Sequence, residues 1–359
     1  MILHFVVLFF ALVAMVAGAE LLVRGASRLA AMIGVSQLVI GLTIVSFGTS
    51  APEFVVSIKG ALANHSDLVV GNCIGSNIFN VLFIIGICAV VAPLVVTKQL
   101  IRLDVPIMIG SNLIFLFFSI DGIIDRYDGL FLLTSFALYY GFIIYKSLQE
   151  NSSMADNNQN TSCTVKSNRT WSTIIKQIGL ITTGLILCIS GAEWMVDSAV
   201  TLARVLGVSE LVIGLTIVSI GTSLPEMATS LVATIRGQRD IAIGNVVGSC
   251  IFNILGVIGL ASLITPQGIT VAPSVLRFDL PVVIATSIAC LPVFFTGYKI
   301  SRWEGFLFLF YYAAYITYLL LEAQQHDLLP MFSIAMLWFM IPLTLLTLIS
   351  VVYRVMRAN

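Results

Sequence analysis

The sequence predicts an all-α, polytopic membrane protein. It is read as two inverted-topology five-helix repeats, ten transmembrane helices in all, with an extra C-terminal transmembrane helix. Composition, the run of apolar stretches and an internal repeat predict it. Of 359 residues, 58% are hydrophobic and 10% charged, with mean hydropathy +1.04. Soluble domains carry about 45–50% apolar and about 25% charged residues.

A spanning helix needs roughly 20 apolar residues. Such stretches fall at 2–23, 37–62, 67–93, 104–120, 127–146, 174–198, 210–235, 240–264, 278–296, 303–321 and 328–353. The N-terminal stretch lacks a basic n-region and a convincing cleavage site, so it reads as a first span and not a signal peptide. Residues 148–172, rich in Asn, Ser and Thr, read as a flexible linker. The chain thus divides into a first repeat (1–147), the linker, a second repeat (173–322) and a last span with a short tail (323–359).

Basic residues mark the cytoplasmic side. With the N-terminus outside, only Lys59, Arg126, Arg204 and Arg277 of the 18 Lys and Arg lie outside. The remainder, including Arg24, Arg28, Lys98, Arg102, Arg236, Arg239, Lys299 and Arg302, lie inside. The N-terminus is therefore expected outside and the C-terminus and linker inside, where the sequons at Asn151, Asn160 and Asn168 carry no glycan.

Several function classes are excluded. Net charge is 0, so no field draws a polyanion and no nucleic-acid partner is expected. The six cysteines show no paired spacing, which argues against a disulfide framework or a zinc site. His4, His65 and His326 lie near span ends, and no span holds a Ser/His, Cys/His or metalloprotease constellation. No enzyme, cofactor or obligatory protein partner is expected; the surroundings are lipid.

The repeat is close. LVIGLTIVSFGTS (38–50) returns as LVIGLTIVSIGTS (211–223), and GNCIGSNIFN (71–80) as GNVVGSCIFN (244–253), both at an offset of 173. GAE recurs at 18–20 and 191–193, and RLDVP (102–106) as RFDLP (277–281). The second span and its copy, the seventh, are five crossings apart, so the copies lie upside down to one another. Inverted repeats build secondary transporters with a substrate site near the bilayer midplane. The best-matched segments are also polar, which costs free energy in hydrocarbon.

Each copy carries GTS-x-PE: Gly48, Thr49, Ser50, Pro52, Glu53, and Gly221, Thr222, Ser223, Pro225, Glu226. A carboxylate at such depth costs about 2.5–3.5 kcal/mol on insertion scales. Proline inside the helix frees a carbonyl about four residues upstream, near Gly48 and Gly221. Carbonyl, hydroxyl and carboxylate oxygens then converge, a donor set for hard cations such as Ca2+ or Na+. Glu20 and Glu193 lie nearer helix ends and can reach an interface. In the following spans Asn72, Ser76 and Asn80 form a polar stripe, repeated by Asn245, Ser249 and Asn253. Glycines at 71, 75, 244 and 248 give a smooth face for close helix approach. Two carboxylates cannot both ionise cheaply in a low dielectric. One divalent cation or a few monovalent ones would neutralise them, and those occupancies exclude each other.

On these paired motifs the chain resembles the calcium/cation antiporter superfamily, specifically its prokaryotic sodium/calcium-exchanger-like members, over about residues 1–322. The resemblance implies electrogenic exchange of Na+ for Ca2+ by alternating access, in a bacterial inner (cytoplasmic) membrane, with both ions as substrates. It implies Glu53 and Glu226 as central ligands. Thr49 and Thr222 would give carbonyl or hydroxyl oxygens, and Ser46 and Ser219 backbone carbonyls. Ser76 and Ser249 would serve flanking Na+ sites, while Ser50, Ser223 and Asn80 line the cavity. Asn253 stands where some members have Asp, which argues against a potassium-co-transporting variant. The span at 328–353 exceeds the usual ten, and its even spread of Leu, Ile, Phe and Met suggests a peripheral, lipid-facing helix.

The same fold could couple Ca2+ to H+ or K+; Mg2+ suits a dry, carbonyl-rich site less. A passive channel would not need a midplane site built from two inverted halves. Substitutions within 150–170 are expected to leave cation flux into reconstituted vesicles unchanged.

Overall fold

The computed structural model describes residues 2–157, 171–205, 219–295, 297–346 and 349. Its helices follow the apolar stretches. The first half holds α1 (Ile2–Ile33), α2 (Gln37–Thr49), α3 (Ala51–Leu62), α4 (Ser66–Val91), α5 (Leu100–Phe118) and α6 (Arg126–Asn157). The second holds α7 (Trp171–Val205), α8 (Leu224–Ile235), α9 (Arg239–Ile264), α10 (Val275–Phe295) and α11 (Arg302–Ala323), followed by α12 (Leu329–Leu346). The part of the seventh span before Ser219 lies outside the described residues.

Helix α1 runs to Ile33, past the expected end at 23. Hydropathy drops there, but Val23, Ala26, Leu29 and Ala30 stay buried at helical spacing, so the helix continues as an amphipathic one. Residues 148–157, read as linker, likewise continue helix α6; they contain neither Gly nor Pro to stop it. Helices α2 and α3 form one span bent by 50°. Pro52 sits in the first turn of α3, where a missing N–H removes no hydrogen bond, and not in the middle of a continuous helix. Pro225 takes the same place in α8.

The two halves interlock. Helices α4 and α9 lie at the centre, and their side chains dominate the main core. Helices α1 and α7 meet backbone to backbone along a seam. A Cβ on Gly18 would lie 2.7 Å from the Gly184 carbonyl oxygen, and one on Gly184 would lie 2.6 Å from the Leu22 nitrogen. In the same way, Gly248 of α9 admits the Leu42 carbonyl oxygen of α2 to within 2.6 Å of an ideal Cβ. A Cβ on Gly71 or Gly75 would meet no described atom of another segment within 4 Å, so the close approach expected at all four glycines is found at Gly244 and Gly248 and not at these two.

Three contacts between the halves show which loops share a face. Strand β1 (Leu94–Val95) pairs antiparallel with β4 (Lys299–Ile300), and β2 (Ile123–Ile124) with β3 (Ile269–Thr270). Glu20 binds both Arg24 and Arg236; Arg236 Nη2 lies 2.6 Å from its Oε1. Each contact joins segments that the alternation of spans assigns to one side. For these three pairs of segments the structure agrees with the alternation of spans, whichever side is cytoplasmic.

Helix α12 packs on the periphery, with none of its most apolar window buried, as expected of a lipid-facing span. Tyr311 of α11 holds it, donating to Thr344 Oγ1 at 2.6 Å. The five described cysteines are buried and free.

The α1/α7 seam makes a prediction. Gly184→Leu should lower the thermal midpoint of the purified protein by several degrees, consistent with overpacking costs of about 1–3 kcal/mol. Gly141→Ala, at an exposed position with nothing within 4 Å, should leave it unchanged; equal effects would deny the seam its role.

Candidate cation-binding site

The site forms where the two broken spans meet α4 and α9. Ser50 and Ser223 mark the breaks, with φ/ψ of −79°/11° and −91°/7°. Both residues sit between the helical pieces in the sparsely populated bridge region. Pro52 and Pro225 follow each break at the start of the next helical piece, so the break and not a mid-helix proline interrupts the helix, contrary to the expected release of a carbonyl by proline. Glu53 and Glu226 lie in the first turns of α3 and α8. The positive end of each helix dipole therefore faces a carboxylate.

Both acids are 0% exposed, so neither points into hydrocarbon. Each is held by the other repeat. Ser223 Oγ donates to Glu53 Oε1 at 2.7 Å, and Ser50 Oγ donates to Glu226 Oε1 at 2.7 Å. Ser76 Oγ also reaches Glu53 Oε1 at 3.5 Å, while Ser249 joins the second carboxylate through Ser50, 2.9 Å away. Glu53 Oε2 and Glu226 Oε2 are buried with no hydrogen-bond partner among the described residues. Each carboxylate thus keeps one oxygen free for a ligand.

The threonines cross in the same manner. Thr49 Oγ1 donates to Asn245 Oδ1 at 3.0 Å, and Thr222 Oγ1 to Asn72 Oδ1 at 3.3 Å. Ser46 is buried, and its carbonyl accepts from the Ser50 amide at 2.9 Å. Ser219 opens a short helical turn (Ser219–Gly221), but its side chain lies outside the described residues.

The polar stripe is less symmetric than its sequence. Asn80 is buried with both amide atoms unpartnered among the described residues. Asn253 donates instead to Asn77 Oδ1 at 3.1 Å and keeps Oδ1 free. Asn77 in turn donates to the Cys250 carbonyl at 3.1 Å. Asn80 and Asn253 each lie in a π turn, Phe79–Ile84 and Phe252–Ile258, a local widening frequent at functional sites.

Sequence reasoning missed Asn77, which lies inside the first motif but off the four-residue stripe. It also missed Ser57 and Ser230, which accept from Asn72 and Asn245 at 3.0 Å each. Their signal was present, since each stands one helical turn after its glutamate. The RLDVP and RFDLP match also has a structural basis: Asp104 accepts from Tyr139 at 3.0 Å and Asp279 from Tyr315 at 2.9 Å.

Of the twelve sequence-predicted residues, the structure links Ser50, Ser223, Ser76 and Ser249 to the two carboxylates, places Ser46, Thr49 and Thr222 at the breaks beside them, and sets Asn80 and Asn253 in the π turns, with no hydrogen bond to either acid. The side chains at the two carboxylates offer oxygen and no imidazole or thiolate, a donor set suited to hard cations. Glu20, by contrast, is spent on its ion pairs, and Glu193 is exposed.

Comparison with known proteins agrees. The chain matches the sodium/calcium exchanger protein family over residues 3–145 and 176–321. It is 33% identical over 349 residues to the sodium/calcium exchanger MaX1 of Methanosarcina acetivorans, covering 88% of this chain and 98% of that protein. It is 37% identical over 267 residues to the inner membrane protein YrbG of Escherichia coli, covering 74% of this chain and 81% of that protein. Its fold matches the sodium-calcium exchanger NCX_Mj soaked with zero Na+ and Ca2+, with TM-score 0.75 and 30% identity, over 88% of this chain and 98% of that one. This is a multi-pass membrane transporter and not an enzyme, and the chain belongs to the sodium/calcium exchanger protein family.

Proposed function

We propose that this chain exchanges Na+ for Ca2+ across the membrane by alternating access. The observation that carries the reading is the pair of wholly buried glutamates, each held by a serine of the opposite repeat and each with one carboxylate oxygen free. Two buried charges of the same sign are costly unless neutralised. One Ca2+ neutralises both; Na+ ions do so in its place. The filled site is close to neutral and can change the side it faces, whereas the empty, doubly charged one resists doing so.

In this reading Glu53 and Glu226 are the central ligands. Thr49, Thr222, Ser46 and Ser219 supply hydroxyl or carbonyl oxygens. Ser76 and Ser249 serve flanking Na+ positions, and Ser50, Ser223, Asn80 and Asn253 line the cavity. No cofactor or protein partner is assigned. Residues 1–147 and 173–322 act as the two inverted units, in a bacterial inner membrane with the N-terminus outside.

The deciding experiment is 45Ca2+ uptake by the purified protein in liposomes under imposed Na+, H+ or K+ gradients. A Na+ gradient should drive uptake. Uptake driven by H+ or K+ alone, with choline replacing Na+, would replace this reading with the corresponding exchange. Glu53→Gln and Glu226→Gln should each reduce Na+-driven uptake by more than about a hundredfold, since removing one member of a buried charged set costs about 3–5 kcal/mol. Uptake at the wild-type rate in either variant would remove that residue from the ligand set.

Orientation is tested separately. In spheroplasts, a cysteine at Arg126 should react with an impermeant thiol reagent and one at Lys98 should not. The reverse pattern would place the N-terminus inside.

A further inference from the structure

We propose that Asn72 and Asn245 are positioning residues that fix which way the threonine hydroxyls of the opposite repeat face. The proposal deepens the exchange reading and rests on it. Each amide is committed by its surroundings. Asn72 Nδ2 donates to the Glu53 carbonyl at 3.1 Å and to Ser57 Oγ at 3.0 Å. Asn245 Nδ2 donates to the Glu226 carbonyl at 3.4 Å and to Ser230 Oγ at 3.0 Å. With both N–H groups used inside its own repeat, neither amide can flip without setting its oxygen against a carbonyl oxygen. Its Oδ1 is left to face the other repeat.

There the oxygen accepts a hydrogen bond. Thr222 donates to Asn72 Oδ1 at 3.3 Å, and Thr49 to Asn245 Oδ1 at 3.0 Å. A hydroxyl carries one proton and two lone pairs. A threonine whose proton goes to an amide oxygen has only lone pairs to offer elsewhere, which is the polarity a hard cation needs. One that has lost this acceptor is free to turn its proton toward the cation. The arrangement is crossed, so each asparagine steadies the glutamate of its own repeat and the threonine of the other. Thr49 has a second, longer acceptor in the Ser46 carbonyl at 3.3 Å, so its dependence on Asn245 is the weaker of the two.

The test is a pair of double-mutant cycles on the full-length purified protein. Apparent Ca2+ affinity is read in two ways: from the Ca2+ concentration that half-shifts the melting temperature in detergent, and from the KM for Ca2+ in Na+-driven uptake. Asn72→Ala and Thr222→Val should each weaken Ca2+ about tenfold, the scale of one lost hydrogen bond at a charged site. Together they should also cost about tenfold, because both remove the same interaction. Asn72→Ala with Thr49→Val should multiply to about a hundredfold. The mirror pair, Asn245→Ala with Thr49→Val, should again be less than multiplicative. A merely structural asparagine would lower the yield of folded protein and would not distinguish between the two threonines.

Multiplicative effects in both matched pairs would overturn the proposal. So would failure of both Asn→Ala variants to accumulate as folded protein. Wild-type protein that binds Ca2+ but shows no Na+-driven uptake would overturn the exchange reading instead, and the melting cycles would still decide this one.

Discussion

A carboxylate held away from water needs hydrogen-bond donors, an opposite charge or a proton. The rest of this molecule is arranged around two such groups. Glu53 and Glu226 meet the requirement in two ways, the start of a helix and a serine from the other repeat, and each leaves one oxygen unsatisfied by the described residues. Because the short serine bond to each acid comes from the opposite half, neither half alone supplies its own acid's main donor. This is a physical reason for the halves to interlock at their centre when each could have packed as a separate bundle.

The same requirement accounts for features that look unrelated. The break in the second span places a helix N-terminus deep within the fold and not at its edge, and proline tolerates that position because its N–H would have had no partner there. Glycine at Gly248 lets the α2 backbone approach closely enough for α2 and α9 to share one polar layer. The π turns in α4 and α9 occur where asparagines must face inward. Each device would be a defect in an ordinary apolar span, and here they converge at one level.

Much of this was legible in the sequence. Identical GTS-x-PE motifs announced both the broken spans and the buried acids, because such residues are too costly in hydrocarbon to recur without a role. Parity of the loops followed from counting spans and basic residues. What stayed hidden was of two kinds. The continuation of helix α1 to Ile33 is set by intrahelical bonds and side-chain packing, whereas hydropathy reports only where lipid contact stops. The link from Asn77 to Asn253 and the crossed Thr–Asn bonds depend on the three-dimensional juxtaposition of two halves, which a repeat within a single string does not specify.

Among the described residues the tie from Glu20 to Arg236 has no counterpart in the other half. Displaced by the repeat offset, Arg236 becomes Ala63, and the equivalent of Glu20 is the exposed Glu193. Two superposable units set head to tail would make a molecule and its flipped image equal in free energy. An ion pair present at one end alone lifts that degeneracy. Were the proposed exchange to run between two facings, this tie would favour one of them, a resting preference that the cargo would work with or against.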